Sequence, residues 1–183
     1  MITELWKEIK NEPVFEGVSF IKAHPPQTNL NTVNVCRKLC RQNKCRSYNT
    51  NWGCPSGVGP ESDAVDYINH FKHAAIIYRR FSNIDLKDLA LIERETAVFQ
   101  DACRRFANVL RAKKGVQEVV PLCSGACTYC GECSYPEPCR FPEQMVPSVS
   151  GFGIIMEDYI PSQGLQFRFE EDAFTLYGVI LYI

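Results

Sequence analysis

Five of the ten cysteines of the chain lie within residues 123–142, and four of these have a spacing that suits metal chemistry. Cys127, Cys130 and Cys133 form a C-x-x-C-x-x-C triplet, and Cys139 follows in the sequence "CRFP". Gaps of two residues let a tight loop direct three thiolates to one iron–sulfur cubane, and a more distant cysteine then supplies the fourth ligand. Bacterial ferredoxins use the same opening triplet. The spacing therefore predicts a [4Fe–4S] cluster on these four residues, which we call the second cysteine group.

Zinc and disulfide bonds are the alternatives for the second cysteine group. Zinc sites more often combine two separated C-x-x-C pairs, because one tetrahedral ion takes two ligands from each pair. Three thiolates within seven residues match a cluster better than a single zinc ion. Cys123 lies outside the triplet, and we interpret it as a small apolar residue at a strand end. A spare ligand or a redox-active thiol are the alternatives for this residue.

A first group of four cysteines lies earlier in the chain, within "CRKLCRQNKCRSYNTNWGC" at residues 36–54. The first cysteine group consists of Cys36, Cys40, Cys45 and Cys54. Their gaps match no ferredoxin motif, but four cysteines are one complete ligand set for a second [4Fe–4S] cluster. Basic neighbours favour thiolate over thiol and offset the negative charge of a cluster. These neighbours are Arg37, Lys38, Arg41, Lys44 and Arg46. The alternative is a solvated basic helix that carries some cysteines.

The composition favours metal over disulfide bonds as the role of the cysteines. The chain has 183 residues, of which 45% are hydrophobic and 22% charged, so one domain core can form without cross-links. The N-terminus carries charges where a signal peptide needs an apolar segment, and no apolar run reaches the roughly 18 residues of a membrane span. A net charge of −1 gives no attraction to nucleic acid or to an anionic membrane. We expect a cytoplasmic protein, whose reducing surroundings keep thiols free to bind metal.

Regular elements must position these two groups. Periodicity and turn residues predict helices at 5–12, 60–71 and 84–114, strands at 73–81, 116–122, 152–160, 165–171 and 174–183, and an extended or looped stretch at 13–34. The last strand is apolar enough to be central in a sheet. The order predicts a single α+β domain over residues 1–183, with a mixed β-sheet, a long helix and two cysteine-rich iron–sulfur loops at 36–54 and 123–142.

The long helix carries an apolar stripe with the period of an α-helix. The stripe consists of Ile92, Phe99, Cys103, Phe106 and Leu110. Spacings of three, four and seven residues place these side chains on one face. Cys103, the tenth cysteine, is therefore interpreted as a core thiol rather than a ligand.

Other patterns predict no further chemistry. The three histidines, His24, His70 and His73, lack an HExxH frame and are interpreted as surface residues. The glycine pair at 57–59 has no Gly-Lys-Ser/Thr after it, and the pair at 151–153 lacks the rest of a dinucleotide motif.

With both cysteine groups in view, the chain resembles the predicted metal-binding, cysteine-rich family known as domain of unknown function 2284. The resemblance spans the chain from about Val35 to the C-terminus. It rests on "CRQNKCRSYNTNWGCP" in the first half, and on "CTYCGECSYPEPCRFP" followed by "PSVSGFGI" in the second. It implies metal or iron–sulfur binding and an anaerobic or microaerobic metabolism, and it implies no particular reaction.

The function that these observations predict is electron transfer by two [4Fe–4S] clusters, to or within a partner redox enzyme. Four cysteine ligands on each cluster leave no iron open, which favours electron transfer over substrate chemistry. One alternative is a metalloenzyme in which a cluster with three cysteine ligands binds a small molecule at its open iron; the first group is then the expected place. Another alternative is a zinc-stabilised adaptor. The expected partner is a redox protein or an oxidoreductase, with no nucleic acid and no membrane.

Overall fold

The computed structural model describes all residues from 1 to 183. The helices are α1 (Ile2–Ile9), α2 (Leu30–Cys40), α3 (Glu61–Asn69), α4 (Leu89–Arg111) and α5 (Met156–Ser162), and the strands are β1 (Ser19–Ala23), β2 (His73–Ser82), β3 (Val119–Cys123) and β4 (Ala173–Tyr182). Short 3₁₀ turns cover Pro13–Phe15, Pro142–Gln144 and Val149–Phe152. None of the helices combines the length and hydrophobicity that crossing a bilayer needs.

The four strands form one sheet in the order β1-β2-β4-β3. All three strand pairings are antiparallel where the sequence predicted a mixed sheet, and one isolated parallel bridge joins Cys123 to Ser148. The predicted α+β class is confirmed. The prediction that the last strand is central is also confirmed, because β4 lies between β2 and β3.

Apolar side chains cover both faces of the sheet, because β2 and β4 are buried on both sides. On one face, Ala75 and Ile77 of β2 and Ile180 of β4 belong to the core that includes α1 and α4. On the other face, Ile76 and Val179 belong to a core shared with α3 and α5. The sheet is therefore the middle of three layers, and α4 packs against β3 and β4.

The apolar stripe of the long helix is confirmed by the burial of Phe99, Cys103, Phe106 and Leu110. Cys103 is a core thiol as predicted, and burial raises its pKa well above the ordinary value. Gly178 of β4 makes room for it, since a Cβ there would lie 2.5 Å from the Cys103 Sγ.

Cys123 is also fully buried, as the last residue of β3, where its Cα pairs with that of Gly178. It belongs to the same apolar core as Cys103. The interpretation of Cys123 as a small apolar residue at a strand end is confirmed.

Two of the predicted strands are wrong. Residues 152–160 form the end of a 3₁₀ turn and most of α5, because the Ser148 hydroxyl accepts a hydrogen bond from the Gly151 N–H (3.0 Å) and Gly153 adopts a left-handed conformation (φ 74°). Residues 165–171 have no regular structure. Their apolar side chains pack without strand pairing, as Phe167 does against Tyr177. An apolar run shows burial but does not by itself choose between strand, helix and packed loop.

The stretch 13–34 is more ordered than predicted, since it contains β1 and the start of α2. A capping box begins α2. The Asn29 side chain accepts from the Thr32 N–H (3.1 Å), and the Thr32 hydroxyl accepts from the Asn29 N–H (3.0 Å). The capping box starts α2, and the helix continues to Cys40. Cys36 and Cys40 therefore lie on a helix rather than in a loop.

Candidate metal centres

The four cysteines of the second group line one pocket. They lie in the chain between β3 and the 3₁₀ turn that begins at Pro142, and each is partly exposed. The predicted ligands Cys127, Cys130, Cys133 and Cys139 thus lie around a shared space. Across the whole chain, no three His, Cys, Asp or Glu side chains converge in the way that a single metal ion requires.

Two nitrogen donors face sulfur atoms of the second group. The backbone N–H of Trp52 donates to the Cys133 Sγ at 3.4 Å, and the Arg104 Nη2 lies 4.0 Å from the Cys127 Sγ. In iron–sulfur proteins, such bonds to sulfur influence the reduction potential.

Two buried polar side chains of α4 hold the start of this loop. The Gln100 Oε1 accepts from the Thr128 N–H (3.0 Å), and its Nε2 donates to the Ala126 carbonyl (2.8 Å). Arg104, one turn later, donates from Nε to the Gln144 carbonyl (2.9 Å) and lies over the Tyr129 ring at 5.0 Å. Because both side chains are buried, Gln100 fixes the backbone on either side of Cys127 to the core, and Arg104 fixes the backbone at Gln144.

Aromatic side chains surround the same pocket. Trp52, Tyr129 and Phe141 line it, and the rings of Tyr129 and Phe141 meet edge to face at 5.2 Å. The Trp52 Nε1 donates to the Glu137 carbonyl (2.7 Å), and its ring packs against Tyr135. These aromatic side chains therefore lie beside the second group and cover part of the pocket that its cysteines line.

The first cysteine group combines two helical and two loop residues. Cys36 and Cys40 lie on the last turns of α2, at a spacing that puts both on one helix face. Cys36 and Cys54 are only 8% and 6% exposed, while Cys45 is on the surface.

The thiols of the first group influence one another electrostatically. Burial raises the pKa of Cys36 to about 11, and the neighbouring Cys40 adds to this rise. Burial raises the pKa of Cys54 to about 12, and Cys45 and Cys40 add to it. Like charges at short range disfavour a further thiolate, so Cys40 acts on both Cys36 and Cys54.

The basic residues of the first segment have different positions. Arg37 is 3% exposed, and it donates from Nε to the Gly151 carbonyl (3.0 Å) and from Nη1 to the Gly59 carbonyl (2.8 Å). It therefore ties α2 to the segments that follow both cysteine groups. The other basic side chains are exposed to solvent; they are Lys38, Arg41, Lys44 and Arg46.

The segment that leads to Cys54 contacts the second cysteine group. A Cβ on Gly53 would lie 3.0 Å from the Cys127 Cβ, so only glycine allows this approach without displacement. The Asn51 Nδ2 donates to the Cys127 carbonyl (3.0 Å), and the Ser148 N–H donates to the Gly53 carbonyl (2.7 Å). The residues just before Cys54 thus pack on the first residue of the second group.

The histidines contact neither cysteine group through a hydrogen bond. The His70 Nε2 lies 3.1 Å from the Glu118 Oε2, and the His73 ring packs against Tyr182. His73 is exposed as expected, whereas His70 is partly buried.

Sequence reasoning missed the residues that support the second group, chiefly Gln100, Arg104 and Asn51. A signal for two of them was present. Gln100 and Arg104 are polar residues four apart, adjacent to Phe99 and Cys103 of the apolar stripe. Polar side chains beside a buried stripe need partners, and here the partners are backbone groups of the cysteine loop.

Fold and site together define an α+β protein in which two cysteine-rich segments pack against each other at the end of an antiparallel sheet. The family described as "Predicted metal-binding protein (DUF2284)" matches residues 26–182. The chain belongs to this family, which agrees with the resemblance read from the cysteine motifs. No curated protein and no solved structure gives a significant match.

Proposed function

We propose that the protein binds two [4Fe–4S] clusters and transfers electrons to or within a partner redox enzyme. The second cysteine group is the proposed ligand set of one cluster and the first cysteine group that of the other. The proposal rests on the pocket of the second group. Four cysteines line this pocket, and three of them have the C-x-x-C-x-x-C spacing of a cluster site.

The surroundings of the second group fit a thiolate-bound cluster. The Trp52 backbone N–H donates to the Cys133 Sγ and the Arg104 guanidinium lies near the Cys127 Sγ, and donors of this kind are found around the sulfur atoms of iron–sulfur clusters. Gln100 and Arg104 prevent the loop from moving away from the core. Trp52, Tyr129 and Phe141 limit solvent, and solvent exposure is one of the factors that set the potential of a cluster.

The first group also offers four thiols, but they lie on a helix and a loop rather than on a single loop. Cys36 and Cys40 are held by α2, and Cys54 is buried beside them, so three of its thiols lie on well-packed backbone. Cys45, on the exposed loop, is the proposed fourth ligand.

The contact between Gly53 and Cys127 is the feature that favours electron transfer. It would put two metal centres on adjoining segments, and when bound each cluster supplies a one-electron donor and acceptor. The partner in this proposal is a redox protein or oxidoreductase that accepts or supplies these electrons.

The test is the metal content of protein purified without oxygen. We expect a brown protein with about eight irons per chain, the number that two cubanes require, and little zinc. A colourless protein with stoichiometric zinc would instead establish the zinc-stabilised adaptor and reject this proposal.

A further inference from the structure

A polar pocket lies beside the first cysteine group. Its volume is about 330 Å³, at the small end of the range for ligand sites. It lies between the end of α2 and the loop that follows Cys54. Polar side chains make up most of its lining: Arg37, Arg41, Tyr48, Ser56 and Glu61.

Arg37 carries a donor without an acceptor in this pocket wall. Its Nε and Nη1 are hydrogen-bonded to backbone carbonyls, but the buried Nη2 has no hydrogen-bond partner. An unsatisfied buried N–H on a charged group is costly, and proteins usually supply such a group with a partner. Because Nη2 has almost no accessible surface, a small shift of the guanidinium is needed before an acceptor oxygen of a ligand in the pocket can reach it.

The charge of the pocket is positive. Arg41 is exposed and takes part in none of the salt bridges of the chain. Glu61 is the one acidic side chain of the lining, and it already lies 3.7 Å from the Arg37 Nη1. Two guanidinium groups against one carboxylate leave an excess positive charge.

We infer that this pocket binds the carboxylate or phosphate group of a small molecule. Guanidinium groups match the planar, paired oxygens of these anions, and Tyr48 adds a hydroxyl to the same wall. The pocket has a single hydrophobic lining residue, which excludes a mainly apolar ligand. Arg37 and Arg41 each follow a cysteine of the first group directly in sequence, so the anion would be held next to that group.

The inference goes beyond electron transfer, because it places a small-molecule site beside one of the two proposed metal centres. It does not depend on the metal that the cysteines bind. Anion binding and metal content are therefore measured separately on the same anaerobic sample.

The experiment is isothermal titration of the purified protein with inorganic phosphate and, separately, with succinate, at constant ionic strength. We expect saturable binding of at least one probe at one site per chain. Arg41→Gln should weaken it by about tenfold or more, because one charge-assisted hydrogen bond is lost. Lys38→Gln removes a positive charge from the same helix outside the pocket, and should leave the affinity within about twofold.

Absence of binding for both probes would overturn the inference, as would equal affinity in wild type and Arg41→Gln. Equal losses in Arg41→Gln and Lys38→Gln would also overturn it, since they would indicate general attraction to a basic helix. Iron per chain, recorded on each sample, shows independently whether the proposed clusters are present.

Discussion

The two cysteine groups reach their positions in different ways. The second group lies within thirteen consecutive residues, so a single loop brings its four thiols around one pocket. The first group is divided between the end of α2 and the irregular loop after it. Its four thiols can come together only when the loop packs against the helix. A short-range motif can therefore be recognised from its spacing, whereas a group of cysteines that tertiary packing assembles shows in the sequence only as a number of cysteines.

The difference extends to how each group is supported. Two side chains of α4, Gln100 and Arg104, hold the second group through hydrogen bonds to its backbone and to the Gln144 carbonyl. The first group is held mainly through α2 itself, which Arg37 ties to the Gly59 and Gly151 carbonyls. Substitutions in one group should therefore affect that group and leave the other in place.

Replacing Cys139 by Ser should remove the proposed second cluster. Cys139 lines the same pocket as the triplet, and the loss of a thiolate ligand should lower the iron content by about four per chain. Iron analysis and EPR of the dithionite-reduced protein measure this loss.

Cys123→Ser is the matched control for this variant. Cys123 is buried in the core away from the pocket lining, so its replacement should leave the iron content unchanged. If Cys123→Ser lost iron and Cys139→Ser did not, the ligand assignment of the second group would be wrong.

Replacing Cys54 by Ser should remove the proposed first cluster while the second remains. The expected loss is again about four irons per chain. Because Gly53 contacts Cys127, the EPR signal of the remaining centre should shift slightly rather than vanish. Loss of all iron in this variant would mean that the two groups do not form separable centres.

Replacing Gln100 by Ala should weaken the second group alone. The change leaves the Thr128 N–H and the Ala126 carbonyl without their buried partner, so the free energy of unfolding should fall by about 2 kcal/mol. Iron release to a chelator should become faster for about half of the iron.

Gln117→Ala, at an exposed position, is the control for Gln100→Ala. It should change neither the unfolding curve nor the release of iron. Equal rates of iron release in wild type and Gln100→Ala would contradict the supporting role assigned to α4.

Replacing Cys103 by Ala should have the smallest effect. Its thiol fills space against Gly178 in the core, so the free energy of unfolding should fall by about 1 kcal/mol. The iron content should match wild type, and a loss of iron would show that the core assignment of Cys103 is incomplete.

Local patterns account for the parts of the fold that were predicted correctly. The stripe of α4 and the apolar run of β4 each have enough residues to define burial and period. The conformation of residues 152–160 depends on the bond from the Gly151 N–H to the Ser148 hydroxyl and on the left-handed Gly153, and residues 165–171 pack without strand pairing. The start of α2 depends on the reciprocal bonds of Asn29 and Thr32, a pair of the capping-box kind with Thr in place of the usual Glu.

In the candidate site, too, local sequence patterns predicted only what neighbouring residues determine. The triplet spacing identified the second group, because neighbours in sequence become neighbours in that loop. The contact of Gly53 with Cys127 joins residues far apart in sequence, and no local pattern contains it. The same holds for the bond from the Trp52 N–H to the Cys133 Sγ.

The central claim is that the two cysteine segments form adjoining metal centres. The most direct test is the EPR spectrum of reduced wild-type protein, compared with the sum of the spectra of Cys54→Ser and Cys139→Ser. We predict a wild-type spectrum broadened by interaction between two clusters, which the sum of the two single-centre spectra does not reproduce. A wild-type spectrum equal to that sum, or one without an iron–sulfur signal, would contradict the claim.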